Sequence, residues 1–149
     1  MDALTAYASL FTAAFLAATI LPGSSEVVLV VLALERKLDV TMLLLVATAG
    51  NTLGSGVGWI LGRWFAGLAN RRWFPASPEK MERAAHWFRR YGIWALALAW
   101  VPIIGDALTI VAGVLRINIG IFLALVGVGK GLRYVAVLYG ADILHALIT

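Results

Sequence analysis

The amino-acid sequence predicts an all-α integral membrane protein, with residues 1–149 forming a single membrane domain. Hydrophobic residues make up 62% of the chain and charged residues only 13%, and the mean hydropathy is +0.91. Water-soluble domains are ordinarily about 45–50% apolar and about 25% charged, so this composition excludes them. The apolar runs recur along the whole chain, whereas a removable signal peptide would be one short run at the N-terminus.

Two runs are long enough to cross a bilayer. A helix rises about 1.5 Å per residue, so about 20 residues cover a hydrocarbon core of about 30 Å. Residues 40–62 carry no charge, and residues 117–141 carry only Lys130 and Arg133. Each run therefore predicts a transmembrane helix.

The stretch WVPIIGD, residues 100–106, predicts a re-entrant hairpin. As helices, its arms at residues 91–101 and 107–115 would each extend about 14–17 Å, roughly half the membrane. Pro102 lacks an amide hydrogen and Gly105 tolerates unusual dihedral angles, so both suit a break in a helix. Irregular backbone survives at that depth only where protein buries it or a water-filled cavity hydrates it.

The stretch LPGSSEVVL, residues 21–29, predicts a first hairpin of the same design, with Gly23 at its tip. An offset of 80 residues aligns a proline, an acid and an arginine in the two hairpins: Pro22, Glu26 and Arg36 with Pro102, Asp106 and Arg116. Such a polar trio predicts an internal duplication. Residues 3–21 are also long enough to span the membrane themselves, so a spanning helix is the alternative to the first hairpin.

Each repeat would be one hairpin, which returns to its own side, plus one spanning helix, which crosses. Repeat one is about residues 1–65 and repeat two about residues 92–149, so repeat two begins on the opposite side and the topology is inverted. The linker between them, about residues 66–91, predicts an amphipathic helix that begins at Ser77 and Pro78. This helix either lies on the membrane or is a solvated connector.

Positive charges predict the orientation. Eight lysines and arginines belong to the linker side: Arg63, Arg71, Arg72, Lys80, Arg83, Arg89, Arg90 and Arg116. The other side carries Arg36 and Lys37. By the positive-inside rule the linker is cytoplasmic and both termini are outside.

Ionisable residues inside a membrane are costly and by default indicate function. Glu26 and Asp106 would approach the midplane from opposite faces, and Lys130 and Arg133 share a helix face because they are three residues apart. Asn51 is expected to face the same cavity. Together they suit an anionic headgroup, with the cations binding phosphate and the carboxylates exchanging protons. A structural network of acids and bases that neutralise each other is the alternative.

Other patterns favour structure over chemistry. Gly50, Gly54, Gly58 and Gly62 repeat every four residues and predict close helix packing, within the protomer or between two copies. Cysteine is absent, and neither a metal-ligand spacing nor a nucleophile motif is present. No metal, cofactor or enzymatic activity is therefore expected.

The stretches LPGSSE, AGNTLGSGVGWILGR, RRYGIWALALAWVPIIGD and GKGLRY resemble the DedA family of membrane proteins, also called the VTT or SNARE-associated family, and its compact YqaA-like branch. The resemblance covers nearly the whole chain. It implies re-entrant hairpins, a bacterial-type inner membrane, and movement of polyprenyl phosphates or phospholipids between leaflets, with proton coupling in some members.

One departure from the family bears on the substrate. Typical members carry two arginines around the second hairpin proline, where this chain has Ala99 and Gly105. The leading hypothesis is a lipid translocator in which Arg36 and Arg116 join the candidate site. An ion or small-solute carrier and a non-transporting scaffold are the alternatives, and an enzyme acting on lipid phosphates is a distant one. Membrane lipids, not nucleic acid, are the expected partners, and a homodimer is expected because so few helices enclose little volume.

Overall fold

The structure, a computed structural model, describes residues 1–19, 23–65, 67, 71–72, 76–101 and 104–149. Within these ranges the chain is mostly helical, with short turns between the helices, and contains no strand. The elements in chain order are α1 (Ala3–Ala17), α2 (Ser24–Leu34), α3 (Val40–Phe65), α4 (Pro78–Tyr91), a 3-10 helix (Gly92–Leu98), α5 (Ile104–Val114) and α6 (Ile119–Ile148).

The two long apolar helices predicted from the sequence are confirmed. Helix α3 has 26 residues and α6 has 30, and both are apolar enough to cross a membrane. They run antiparallel, since Gly127 faces Thr52 while Gly131 faces Thr48, at 3.6 and 3.5 Å from the position a Cβ would occupy. The crossing point lies near the middle of both helices.

The remaining apolar helices are too short to span. Helices α2 and α5 have 11 residues each, or about 16 Å, and α1 has 15, or about 22 Å. In the first arm of the predicted second hairpin, Gly92–Leu98 form a 3-10 helix and not an α-helix. Pro22 and Pro102, predicted at the two hairpin tips, lie outside the described residues.

The 80-residue offset seen in the sequence has a structural counterpart. Helices α2 and α5 begin and end 80 residues apart. Each ends in a turn with an arginine in the left-handed region, Arg36 at φ 53° and Arg116 at φ 58°. The amide of Arg36 donates to Ala33 O and that of Arg116 donates to Gly113 O, at 3.1 and 3.0 Å. The two turns are therefore built alike.

The glycine stripe of α3 packs against neighbouring helices of the same protomer, which confirms the predicted role in close packing. A Cβ at Gly50 would lie 2.6 Å from the carbonyl oxygen of Phe11 in α1. Gly54 meets Phe15 O in the same way, whereas Gly58 and Gly62 face α5. Small residues thus let α1 and α5 pack closely against the middle and the C-terminal part of α3.

Helix α4 begins where the sequence predicts, with Pro78 in its first turn and the Ser77 hydroxyl accepting from the Lys80 amide at 3.3 Å. Its apolar stripe packs against protein. Ala84 and Phe88 are buried in one core cluster with residues of α5 and the 3-10 helix. The stripe therefore serves protein packing, and the charged face of α4 remains exposed.

Candidate functional site

A polar cavity lies where the N-terminal ends of α2 and α5 meet the middle of α3 and α6. Its volume is about 60 Å³, room for about four water molecules. Five of the residues that the sequence predicts to form the site line it together: Glu26, Asn51, Asp106, Lys130 and Arg133. The acids come from the two short helices, and both cations come from α6.

Arg133 connects α2 with the segment that precedes α5, across the cavity. Its guanidinium forms a salt bridge with Glu26 of α2, and Nη1 donates to the carbonyl oxygen of Trp100 at 2.7 Å. The Arg133 and Glu26 side chains are 30% and 24% exposed, so the ion pair is partly desolvated. Charge-assisted bonds of this kind are shorter and stronger than neutral ones.

Lys130 belongs to a buried chain of hydrogen bonds. Its ammonium donates to Asn51 Oδ1, and Asn51 Nδ2 donates to the Tyr134 hydroxyl at 2.8 Å. That hydroxyl also bonds to the Ser25 hydroxyl at 2.9 Å. The chain therefore fixes Lys130 by linking α6, α3 and α2, and it satisfies polar groups that would be costly to bury alone.

Asp106 differs from the other polar groups of the cavity. Its backbone carbonyl accepts from the Thr109 hydroxyl at 2.7 Å, but within the described part of the chain its carboxylate forms no hydrogen bond or ion pair. Lys130 is its main electrostatic partner. Asp106 is therefore the cavity carboxylate that is free to accept a proton or a ligand.

Two predicted site residues lie away from this cavity. Arg36 and Arg116 are exposed, in the turns that end α2 and α5. Each is ten residues beyond the acid of its helix, a distance of about 15 Å along the axis. The sequence offset identified equivalent positions, but it carried no information on which positions share a cavity.

The predicted tip glycines have different surroundings. Gly23 lines the cavity and caps α2 at φ 91°, a backbone conformation that favours glycine. Gly105 is buried, and a Cβ there would overlap the carbonyl oxygen of Ala99. Its role is to let α5 approach the segment that follows the 3-10 helix.

Sequence reasoning missed three members of the site: Ser25, Trp100 and Tyr134. Tyr134 follows Lys130 by four residues and so shares its helix face, which is the signal that could have identified it. Ser25 precedes Glu26, and Trp100 contributes only a carbonyl group. In the described ranges, no group of three or more metal-ligating acids or histidines occurs.

The fold and the site define an α-helical membrane protein with a small charged cavity midway along its two long helices. The VTT domain matches residues 21–142, and the chain belongs to this family, also known as DedA. The inner membrane protein YqaA of Escherichia coli K12 is 45% identical over 129 residues, which cover 87% of this chain and 86% of that protein.

Two further relatives extend the comparison. A Haemophilus influenzae protein is 40% identical over 140 residues, covering 87% of this chain and 83% of the relative. Undecaprenyl phosphate transporter A of Staphylococcus aureus is 24% identical over 127 residues, covering 78% of this chain and 63% of that transporter. No solved structure matches the chain.

Proposed function

We propose that this protein moves a lipid with an anionic headgroup, a polyprenyl phosphate or a phospholipid, between the leaflets of the inner membrane. The observation that carries the proposal is the placement of Lys130 and Arg133 beside Glu26 and Asp106 in one cavity at mid-length of α3 and α6. Charges at that depth are costly and commonly mark a transport pathway. The similarity to an undecaprenyl phosphate transporter supports the same class of substrate.

In this proposal the chain has two inverted repeats, each a re-entrant hairpin followed by a spanning helix. The equal lengths and 80-residue offset of α2 and α5 support the duplication. The packing agrees with it in part: α5 contacts α3 and α2 contacts α6, while α2 also contacts α3 of its own repeat. The linker is cytoplasmic and both termini are outside.

Charge balance links headgroup binding to proton uptake. Two carboxylates and two cations make the empty cavity neutral when all four groups are ionised. A phosphate adds negative charge in a region where net charge is costly. Protonation of Asp106, the carboxylate without an ion pair among the described residues, restores the balance for a singly charged phosphate. Protonation of Glu26 adds a second proton and releases Arg133 to bind the phosphate, for which its guanidinium geometry is suited.

The cavity must open for a headgroup to enter. About 60 Å³ holds only a few water molecules, whereas ligand pockets usually measure roughly 300–1,000 Å³. The Glu26–Arg133–Trp100 contacts hold the two short-helix regions together. Loss of the ion pair upon protonation of Glu26 would let these regions separate, toward one leaflet or the other.

The same small volume favours a second candidate, a carrier of a small anion such as inorganic phosphate. The two candidates differ in the molecule that crosses the membrane. Vesicles containing the purified protein would be assayed in parallel for uptake of radiolabelled phosphate and for inversion of a polyprenyl phosphate. A scaffold would support neither activity.

The proposal is tested by headgroup translocation in these vesicles, with and without a pH gradient. Glu26→Gln and Asp106→Asn are each expected to slow translocation at least tenfold and to reduce its response to the gradient. Glu79→Gln is the matched control, because it removes an exposed carboxylate of α4 that lies outside the cavity. Equal rates in the parent and all three variants would remove the mechanism.

A homodimer is also proposed, because one protomer encloses little volume for a lipid. Light scattering of the purified protein in detergent measures the protein mass independently of the bound detergent. A mass of one 16.0 kDa chain at working concentration would contradict the dimer and leave the transport proposal standing.

A further inference from the structure

A second concave site lies on the outside of the protein, between α4 and α5. This α4–α5 groove measures about 310 Å³, which is within the usual range of roughly 300–1,000 Å³ for small-molecule sites. Most of its lining is apolar, with one cation at the rim: Phe88, Ile93, Val111, Leu115, Ile117 and Arg89. The polar cavity of the proposed transport site, called the transport cavity below, shares none of these residues.

One arginine lines the groove, and a second arginine lies next to two of its lining residues. Arg89 lines it directly, and Arg116 occupies the turn between two lining residues, Leu115 and Ile117. Arg89 is paired with Glu82 at 2.9 Å on the exposed face of α4. Arg116 is exposed, and the described residues give its side chain no ion pair or hydrogen bond. Arg116 is therefore the cation beside the groove that no described protein group neutralises.

The backbone of Arg116 is unusual as well. Its φ of 58° lies in the left-handed region, where helix-ending turns normally carry glycine or asparagine. Arg36 has the same conformation at a turn that lines no comparable groove among those described. The strain alone therefore does not indicate a ligand, and the apolar groove distinguishes Arg116 from Arg36.

The groove lies at one end of a helix long enough to cross a membrane. It lies at the turn between α5 and the start of the long helix α6, and the Trp59 indole near the end of α3 donates to the Ile117 carbonyl at 3.0 Å. Apolar surface at the end of a membrane span would contact acyl chains. Basic residues beside it attract anionic headgroups, and basic pockets between membrane helices are known lipid sites.

We infer that the α4–α5 groove binds one anionic phospholipid, with an acyl chain on the exposed side chains of Ile93 and Leu115 and the phosphate at Arg89 and the adjacent Arg116. This site is separate from the transport cavity and does not rest on the proposed function. Its lipid would stabilise α4 against α5, the helix that carries Asp106, so the protein's stability should depend on the headgroup charge of the surrounding lipid.

The test uses the full chain in a mild detergent, titrated with phosphatidylglycerol or phosphatidylcholine. Thermal unfolding is followed by circular dichroism, and native mass spectrometry counts the lipids retained per protomer. Phosphatidylglycerol is expected to raise the melting temperature at lower concentrations than phosphatidylcholine does. Arg116→Gly, which also relieves the left-handed backbone, should weaken the apparent affinity for phosphatidylglycerol about fivefold, the effect of one cation.

Arg36→Gly is the matched control, since it makes the same charge and backbone change at the equivalent turn. It should leave the phosphatidylglycerol affinity unchanged. Ile93→Trp fills the groove without altering charge and should reduce lipid retention. This variant keeps the inference testable if Arg116→Gly does not fold.

Three outcomes would overturn the inference. Equal stabilisation of the parent by the two lipids would show that headgroup charge is not recognised. Equal losses in Arg36→Gly and Arg116→Gly would indicate a general charge effect. If Ile93→Trp disrupts self-association and leaves lipid retention unchanged, the groove is an interface between copies. Translocation defects in Glu26→Gln with normal lipid retention would separate this site from the transport cavity.

Discussion

Replacing Gly62 by alanine tests how closely α3 and α5 approach. A Cβ at Gly62 would overlap the carbonyl oxygen of Ile110 and would lie 2.8 Å from its carbonyl carbon and 3.0 Å from Val114 N. These atoms belong to the backbone, so α5 itself must shift. Overpacking of this kind costs about 1–3 kcal/mol, whereas alanine gains up to about 1 kcal/mol over glycine in a helix. The net loss of stability is expected to reach about 2 kcal/mol.

Gly56→Ala in the same helix is expected to change stability in the opposite direction, by raising the free energy of unfolding. A Cβ there meets no atom within 4 Å, so only the gain in helix propensity remains, up to about 1 kcal/mol. Both variants would be unfolded in mixed micelles with increasing dodecyl sulfate, and circular dichroism would give the free energy of unfolding relative to the parent. Equal stability of the two variants would show that α3 and α5 are not in backbone contact.

Three further predictions concern the site and the topology. Tyr134→Phe deletes the hydroxyl shared by three helices and should lower the unfolding free energy in the same assay by about 1–3 kcal/mol; no change would contradict the hydrogen-bond chain. A double-mutant cycle with Glu26→Gln and Arg133→Leu should give a coupling energy of about 1–3 kcal/mol, and additive effects would contradict the ion pair. Because the chain has no cysteine, Lys37→Cys and Glu79→Cys each provide a single thiol. An impermeant maleimide should label only Lys37→Cys in intact cells, and the reverse pattern would invert the proposed orientation.

The long helices could be predicted from the sequence because length and the absence of charge are nearly sufficient for a membrane span. Helix α3 begins at Val40 as predicted, and the ends extend beyond the expected residues, to Phe65 and Ile148. The destination of the apolar stripe on α4 could not be predicted. Lipid tails and helix surfaces are similarly apolar, so the stripe alone does not say whether protein or lipid covers it.

The charged members of the site could be identified from the sequence because charges are rare in membrane helices. Tyr134 and Ser25 carry no such signal, since uncharged hydroxyl groups are common in membrane segments and often bond locally. Arg36 and Arg116 were grouped with the site because of the 80-residue offset. The observed lengths of α2 and α5 put both arginines just beyond the C-terminal ends of these helices, away from the cavity.

The proposed duplication also explains why both cavity cations come from one helix. Under the same 80-residue offset, Gly50 and Gly54 of α3 are equivalent in sequence to Lys130 and Tyr134 of α6. In α3 these positions must be glycine, because the backbone of α1 approaches them directly. In α6 the corresponding approach falls one residue earlier, at Gly129, where a Cβ would lie 2.7 Å from the Ala97 carbonyl oxygen. That shift leaves the next face of α6 available for side chains that reach the cavity. Equivalent helix positions therefore serve close packing in α3 and carry polar side chains of the cavity network in α6.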